Sequence, residues 1–350
     1  MASTNLIRFG SNNANATPTS SDMWLPVYGG EVITAFEEFN TFIPKVNFKT
    51  LTSGNTMKFP AIWKIGSEYH EAGTELLGLD VDTKEYSISL DDRPLVAHFE
   101  VDDIDASMAH YDARTELSRE TGRELARQMD RKIAALLVNA ARTAADTGTN
   151  SFPVGNAIGA GPGYNADLLL TNGNVPTEAK GAALIEIIAA VNQKMDQLDI
   201  PTSDRCAVVN IPLYYSLRTL GLPSVASTTV SNNAAGGLWG RTDVRTGGPG
   251  LGDGQGYMNP INVLGTPVYC SNHIPSTNIT TGPTKYQGNF AKTGGVMFHK
   301  SALGVLQLQG VQTEKFRDVR RQSDFMVSKI MMGGGALRPY AAYEIQGSSA

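Results

Sequence analysis

The chain has 350 residues, 41% of them in the apolar set and 18% charged, with Gly 36 and Pro 17. Its 29 basic against 34 acidic side chains leave a net charge of −5, which argues against general attraction to nucleic acid or anionic lipid, and two cysteines cannot build a disulfide framework. No window approaches the ~18 uninterrupted apolar residues of a membrane helix and the polar N-terminus lacks the apolar run of a signal peptide, so a soluble intracellular protein of roughly two domains is expected.

Residues 1–25 are polar and read as an extended arm. Val32, Phe36 and Phe39 then fall at i, i+4 and i+7, which predicts a short amphipathic helix. Residues 56–66 alternate loosely around Pro60, a residue that confines a strand to an edge or a bulge. A Gly- and Glu-rich tip follows, and beyond it Tyr86, Ile88 and Leu90 alternate with Ser87 and Ser89. Together these segments predict a long β-hairpin with an acidic tip. Leu95, Ala97, Phe99 and Val101 predict a strand with one apolar face.

The strongest helical pattern covers about 112–145. Leu117, Leu125, Ile133, Leu136, Leu137 and Ala140 share a face, with Thr121 and Met129 between them. Asp112 suits the N-cap, and Arg142 falls near the C-terminal end, where the helix dipole favours a cation. At ~1.5 Å per residue such a helix is about 50 Å long and must span most of a domain. A long Gly/Asn/Pro loop over 146–176 leads to a second amphipathic helix, about 177–198, carrying Leu184, Ile187, Ile188, Val191, Met195 and Leu198. Arg205–Asn210 reads as a short buried strand, and Ile211-Pro212 opens a helix with Leu213, Tyr214, Leu217 and Leu220. After a second long loop, about 222–260, the run Val263–Cys270 is strand-like, residues 295–310 alternate, and Phe325–Met332 forms a last strand. The middle of the chain has α/β character, and the half with the hairpin and long helix has α+β character.

No chemistry of an enzyme stands out. His70, His98, His110, His273 and His299 never fall at metal-ligand spacing, and there is no HExxH, CxxC or GxSxG. Gly252–Gly256 has the glycines of a phosphate loop but neither its lysine nor a strand leading in. No catalytic, cofactor-binding or metal residue is therefore predicted. Acidic residues from Glu68 to Asp105 are opposed only by Lys84 and Arg93, and imply a solvated or partner-facing surface. Lys315, Arg317, Arg320 and Arg321 form a basic cluster diluted by Glu314 and Asp318, suited to cross-strand or cross-subunit salt bridges. The hairpin carries Phe59, Ile62, Trp63, Ile65, Tyr86, Ile88 and Leu90. Burying four such side chains is worth about 6–12 kcal/mol before ordering costs. Either the hairpin folds back on its own domain or it lies across a neighbouring copy. With a loose arm and long uncharged loops, this pattern favours an assembling protein.

The order arm, short helix, hairpin, long helix, α/β middle and returning strand resembles the HK97 fold of tailed-phage major capsid proteins. Four strings are similar to segments of the short-tailed, Autographiviridae-type phages: Tyr28–Phe36 (YGGEVITAF), Met108–Glu116 (MAHYDARTE), Phe298–Val305 (FHKSALGV) and Gly334–Ala342 (GGALRPYAA). The loops 146–176, 222–260 and 275–293 depart from that pattern. The resemblance implies an α+β, HK97-like fold with an N-arm (1–27), a P-domain (28–51 and 93–177, with the spine helix), an E-loop (52–92), an A-domain (178–310) and a return to the P-domain over 311–350. Glycines in Gly265–Val268 and Gly333–Gly335 then read as turns and close packing.

It further implies pentamers and hexamers that tile an icosahedral shell around double-stranded DNA, a virion protein assembled in the host cytoplasm. Implied partners are other copies of the chain, a separate scaffolding protein (with only ~25 residues before the first helix), a portal and a decoration or cement protein. Neither a cofactor, a membrane nor a nucleic-acid sequence is among them. The expected inter-subunit contacts are the seven apolar hairpin residues and the four basic residues named above. The acidic stretch would meet that basic cluster across subunits or within one chain. Two alternatives are an encapsulin-like shell protein and, from another class, a nucleotide-binding α/β enzyme, which would need the phosphate loop that is absent.

Overall fold

The computed structural model describes residues 41–62, 83–102, 113–143, 156–158, 177–219 and 260–347, together with Val32 and single positions between 67 and 75. Val32 is helical and buried, and the rest of the predicted first helix lies outside the described residues, as do Asp112, Trp63 and Ile65. Among the described residues no helix is long and apolar enough to cross a membrane.

The long helix forms with its predicted apolar stripe but ends at Ala141, short of the expected 145. Helix α1, Ala113–Ala141, has 29 residues, about 43 Å at ~1.5 Å per residue. Its stripe Leu125, Met129, Ile133 and Leu137 is fully buried in the main core. It packs on a four-stranded sheet ordered β1 (Asn47–Thr50), β12 (Leu303–Asp318), β13 (Ser323–Ala336) and β4 (Leu95–Asp102). Phe99, Val101, Met326 and Ile330 supply the sheet's side of that contact. The pairings are antiparallel apart from β1 with β12, which is parallel.

Near its C-terminal end α1 is no longer amphipathic: residues 133–138 are all buried. Ala135 and Val138 face away from the main core and are covered by Phe290 and Ile279. Arg142 lies just past the last helical residue, and its role goes beyond the helix dipole. It forks onto Glu344 through Nε and Nη2, both at 2.6 Å, and so ties α1 to the C-terminal strand.

A second, six-stranded sheet has the order β5 (Asn156–Ile158), β14 (Ala342–Gln346), β11 (Thr293–His299), β6 (Arg205–Val209), β8 (Thr266–Cys270) and β7 (Ile261–Val263). Helices α2 (Glu178–Gln197) and α3 (Ile211–Thr219) pack together beside it. Thr177 caps α2 by accepting the Lys180 amide at 3.3 Å. The stretch 263–270, read as strand-like, is in fact the end of one strand and the whole of the next. Leu264 (φ 51°) and Gly265 (φ 81°) make a two-residue turn that pairs Val263 with Thr266. Positive φ at both positions is the primed turn that suits the twist of a hairpin.

The two sheets exchange strands at one place. β11 passes to β12 through the 3₁₀ turn Lys300–Ala302, and β13 passes to β14 through Pro339–Ala341. The amides of Leu337 and Arg338 both donate to the Ala302 carbonyl, at 2.9 and 3.1 Å. Two of the four family-like strings, Phe298–Val305 and Gly334–Ala342, thus meet at this crossing and hold the sheets together. β12 continues past residue 310 to Asp318, with register shifts against β13 between Gln307 and Gln312, and β14 lies in the same sheet as β6 and β8.

Candidate functional site

β2 (Thr56–Ile62) and β3 (Thr83–Ser89) form the predicted hairpin, in register Met57↔Ile88 and Phe59↔Tyr86. Among the described strands they pair only with each other, so Pro60 sits on an edge as its missing amide requires. Met57, Phe59, Tyr86 and Ile88 share one face. Ile88 and Leu90 are buried with Leu306 and Leu337, while Met57, Phe59 and Tyr86 are half-buried around them. The base of the hairpin therefore folds back on its own chain. Ile62, on the opposite face near the tip, is 67% exposed.

Glycine permits this docking. A Cβ on Gly333 would lie 2.5 Å from the Leu90 Cα, and one on Gly304 would lie 2.6 Å from the Ile88 Cδ1. The backbone of β13 thus touches the backbone of the hairpin's root. Gly334 is closed in the same way by Leu136 of α1, at 2.6 Å.

The basic cluster lies at the far end of the β12–β13 hairpin and is largely paired within the chain. Lys315 and Arg317 reach Asp324 across the strands at 2.6 and 3.5 Å. Arg321 reaches Asp318 at 3.7 Å and Glu100 of β4 at 3.8 Å. Glu100 is buried and also accepts the Ser323 hydroxyl at 2.6 Å. Among the described residues the Arg320 side chain has no ion-pair partner, although its amide donates to Asp318.

Sequence reasoning missed one surface. On the side of the four-stranded sheet away from α1, Val96 and His98 of β4 are exposed, and Phe325 and Val327 of β13 are half-buried. Phe316 of β12, opposite Phe325, is 67% exposed, and Val319 in the adjoining turn is 69% exposed. His98 lies against the Phe325 ring, with centroids 5.6 Å apart. A one-sided antiparallel sheet ordinarily turns polar residues to water. Here apolar side chains recur on the solvent side, and one ion pair, Lys329–Glu314 at 2.6 Å, crosses the same face. The signal was invisible in the chain because β4 and β13 are brought together from more than 200 positions apart.

A polar cleft of about 490 Å³ is lined by Lys45, Asp204, Arg205, Cys206, Tyr269 and Lys300, among others. Lys45 Nζ sits 4.0 Å above the Tyr269 ring, and burial pulls its pKa down. Burial pushes the Cys206 thiol up to about 12, so it is not a thiolate nucleophile. Arg205 is spent on Asp196 at 2.6 Å and on the Pro201 carbonyl at 2.9 Å. Among the described residues no three His, Cys, Asp or Glu groups converge on a metal position. What stands out instead are two exposed apolar features, the hairpin with Ile62 and the sheet face with Val96 and Phe316.

Residues 58–346 match the Gp10A-like family, described as major capsid protein. The chain belongs to that family. The capsid protein is 26% identical to the major capsid protein of Enterobacteria phage T3 over 332 residues, covering 91% of this chain and 90% of that one. It is 25% identical to the major capsid protein of Escherichia phage T7, covering 96% and 95% of the two chains. Among solved structures it resembles the capsid of cyanophage P-SCSP1u, at 25% identity and a TM-score of 0.66 over 89% of each chain. The mature capsid of bacteriophage PhiM1, 16% identical with a TM-score of 0.65 over 89% of this chain and 88% of that one, shares the fold. The expectation of an α+β, HK97-like capsid fold is met. The capsid protein is a structural subunit of a T7-like podovirus shell and a virion component, and the family it belongs to is a structural one. The encapsulin-like and nucleotide-enzyme alternatives are not favoured.

Proposed function

We propose that the subunit assembles as pentamers and hexamers into an icosahedral shell enclosing double-stranded DNA, with the hairpin of one copy lying over the outer face of β4, β13 and β12 in the next. The observation that carries this is the pairing of two unfinished surfaces. A two-stranded hairpin is marginal alone, and this one keeps Ile62 in water. The sheet face leaves Val96 and Phe316 uncovered. Each supplies the apolar cover the other lacks. In this reading the base residues Phe59, Tyr86, Ile88 and Leu90 anchor the hairpin to its own chain, and Ile62, Trp63 and Ile65 make the contact. Of Lys315, Arg317, Arg320 and Arg321, Arg320 is the one left for a neighbour.

The reading places the N-arm at 1–27, the E-loop at 52–92 and the A-domain about 178–310, with the P-domain drawn from both sides of them. It includes assembly in the host cytoplasm with a separate scaffolding protein and a portal, and a decoration protein on the finished shell. A net charge of −5 suits a container wall that must not grip its DNA.

The test is Ile62→Asp. A charge on an exposed position leaves subunit stability within about 0.5 kcal/mol, and electron microscopy is expected to find dispersed subunits where the wild type gives closed shells. Normal shells from this variant would overturn the docking of the hairpin.

A further inference from the structure

The hairpin's direction needs a physical cause. Among the described strands β2 and β3 join no other sheet, so no ladder of hydrogen bonds there fixes the angle at which they leave the body. The apolar contact at their base, through Ile88 and Leu90, is attractive but non-directional.

Asp91, two residues past β3, supplies direction. Its side chain is 3% exposed, and three donors from two distant parts of the chain converge on it. Lys132 Nζ of α1 lies at 3.3 Å and Lys285 Nζ at 2.5 Å. The Tyr286 hydroxyl lies at 2.9 and 3.0 Å from the two carboxylate oxygens. Lys285 also donates to the Ser89 carbonyl at 3.2 Å, on the last residue of the hairpin. The Asp91 amide donates to the Met332 carbonyl of β13 at 3.0 Å, and the Leu90 amide closes the hairpin on the Asn55 carbonyl at 2.9 Å. Both ammonium groups lie 5.3 Å from the centroid of the Tyr286 ring, which fixes the ring as well as the charges. Burial, then the carboxylate beside it, push the Tyr286 phenol far up, so it remains a donor throughout the accessible pH range.

Replacing the whole buried cluster by well-packed apolar groups would cost little stability, because a buried ion pair rarely outdoes a hydrophobic replacement of all its members. What an apolar group cannot do is select one orientation. We propose that Asp91 is the positioning residue of the hairpin: its carboxylate, gripped by Lys132, Lys285 and Tyr286, holds the hairpin at the one angle from which its tip meets the next copy. This rests on the reading that the hairpin docks on a neighbouring subunit.

Two full-chain variants test it, Asp91→Asn, which keeps the shape and removes the charge, and Lys285→Met, which keeps Lys132 and Tyr286 on Asp91 and so preserves the fold if the first variant does not. Hydrogen exchange in the dispersed subunit is expected to rise about tenfold at the amides of residues 57–61 and 84–88, the factor that follows from losing one charge-assisted hydrogen bond. Amides of α1 and of the six-stranded sheet keep wild-type rates, and the yield of closed shells falls by the same order. Unchanged hairpin exchange, or a rise spread evenly over the chain, would overturn the proposal. So would a loosened hairpin with a wild-type yield of shells. Failure of the docking reading itself looks different: normal shells from Ile62→Asp with hairpin exchange unaltered.

Discussion

At the scale of single residues, the buried charges join elements that the chain separates. Asp130 is fully buried and accepts the Thr41 amide at 2.8 Å and the Phe42 amide at 3.3 Å, with His273 Nδ1 at 3.1 Å. Glu344 is equally buried and is held by Arg142, by the Thr293 hydroxyl at 2.5 Å and by Gln346 at 2.8 Å. Such pairs contribute little over an apolar core, but removing one member strands the other. Arg142→Met therefore leaves Glu344 buried and without the two donors of the guanidinium. Breaking a buried pair costs about 3–5 kcal/mol; with 26% of the Arg142 side chain exposed, the lower end of that range is expected. Urea unfolding of the dispersed subunit measures it, and Glu344→Gln added to Arg142→Met should recover part of the loss. A midpoint unmoved by Arg142→Met would mean that the pair adds nothing to stability.

At the scale of elements, close backbone contact sets how near the hairpin's root can approach β13. The Cβ of a Gly333→Ala variant would meet main-chain atoms of Ser89 and Leu90, which no rotamer change can move aside. Overpacking of this kind costs about 1–3 kcal/mol. Gly310→Ala is the control, because its nearest neighbour is the far end of Gln307, at 3.7 Å. Thermal unfolding should separate the two variants clearly, and equal melting temperatures would refute the contact. Much of this layer was legible in the sequence. Alternation marked β3 and β4, and the 3.6-residue stripe marked α1. The distal half of β12 was not legible, since Gln312, Glu314 and Phe316 on one side and Lys315 and Arg317 on the other leave no apolar face to read. The β7–β8 turn was missed because Leu264 gives no warning of a positive φ. Within the site, alternation marked Ile88 and Leu90 as apolar side chains needing cover, but not whether their own chain or a neighbour supplies it. The uncovered face was not marked at all, since pairing across the sheet creates it and no single segment contains it.

At the scale of the whole molecule, the basic cluster of β12–β13 has most of its charge paired inside the subunit. Residues 314–324 hold four cations and three anions, a balance of 4 − 3 = +1. Lys315 and Arg317 share Asp324, and Arg321 leans on Asp318 and Glu100. Reversing any of those three would break contacts within the chain and confuse folding with assembly. Arg320 is the informative position, exposed and without an ion pair among the described residues. Arg320→Glu should change subunit stability by no more than about 0.5 kcal/mol. If the tip of β12–β13 meets an acidic surface of a neighbouring copy, the same variant should assemble more slowly than wild type at low salt. The difference should shrink towards 1 M salt, where the screening length falls to about 3 Å. Light scattering during assembly at several salt concentrations reads both effects together. Identical assembly curves at every salt concentration would assign the basic cluster wholly to the inside of the subunit, and leave apolar cover by the hairpin as the attraction between copies.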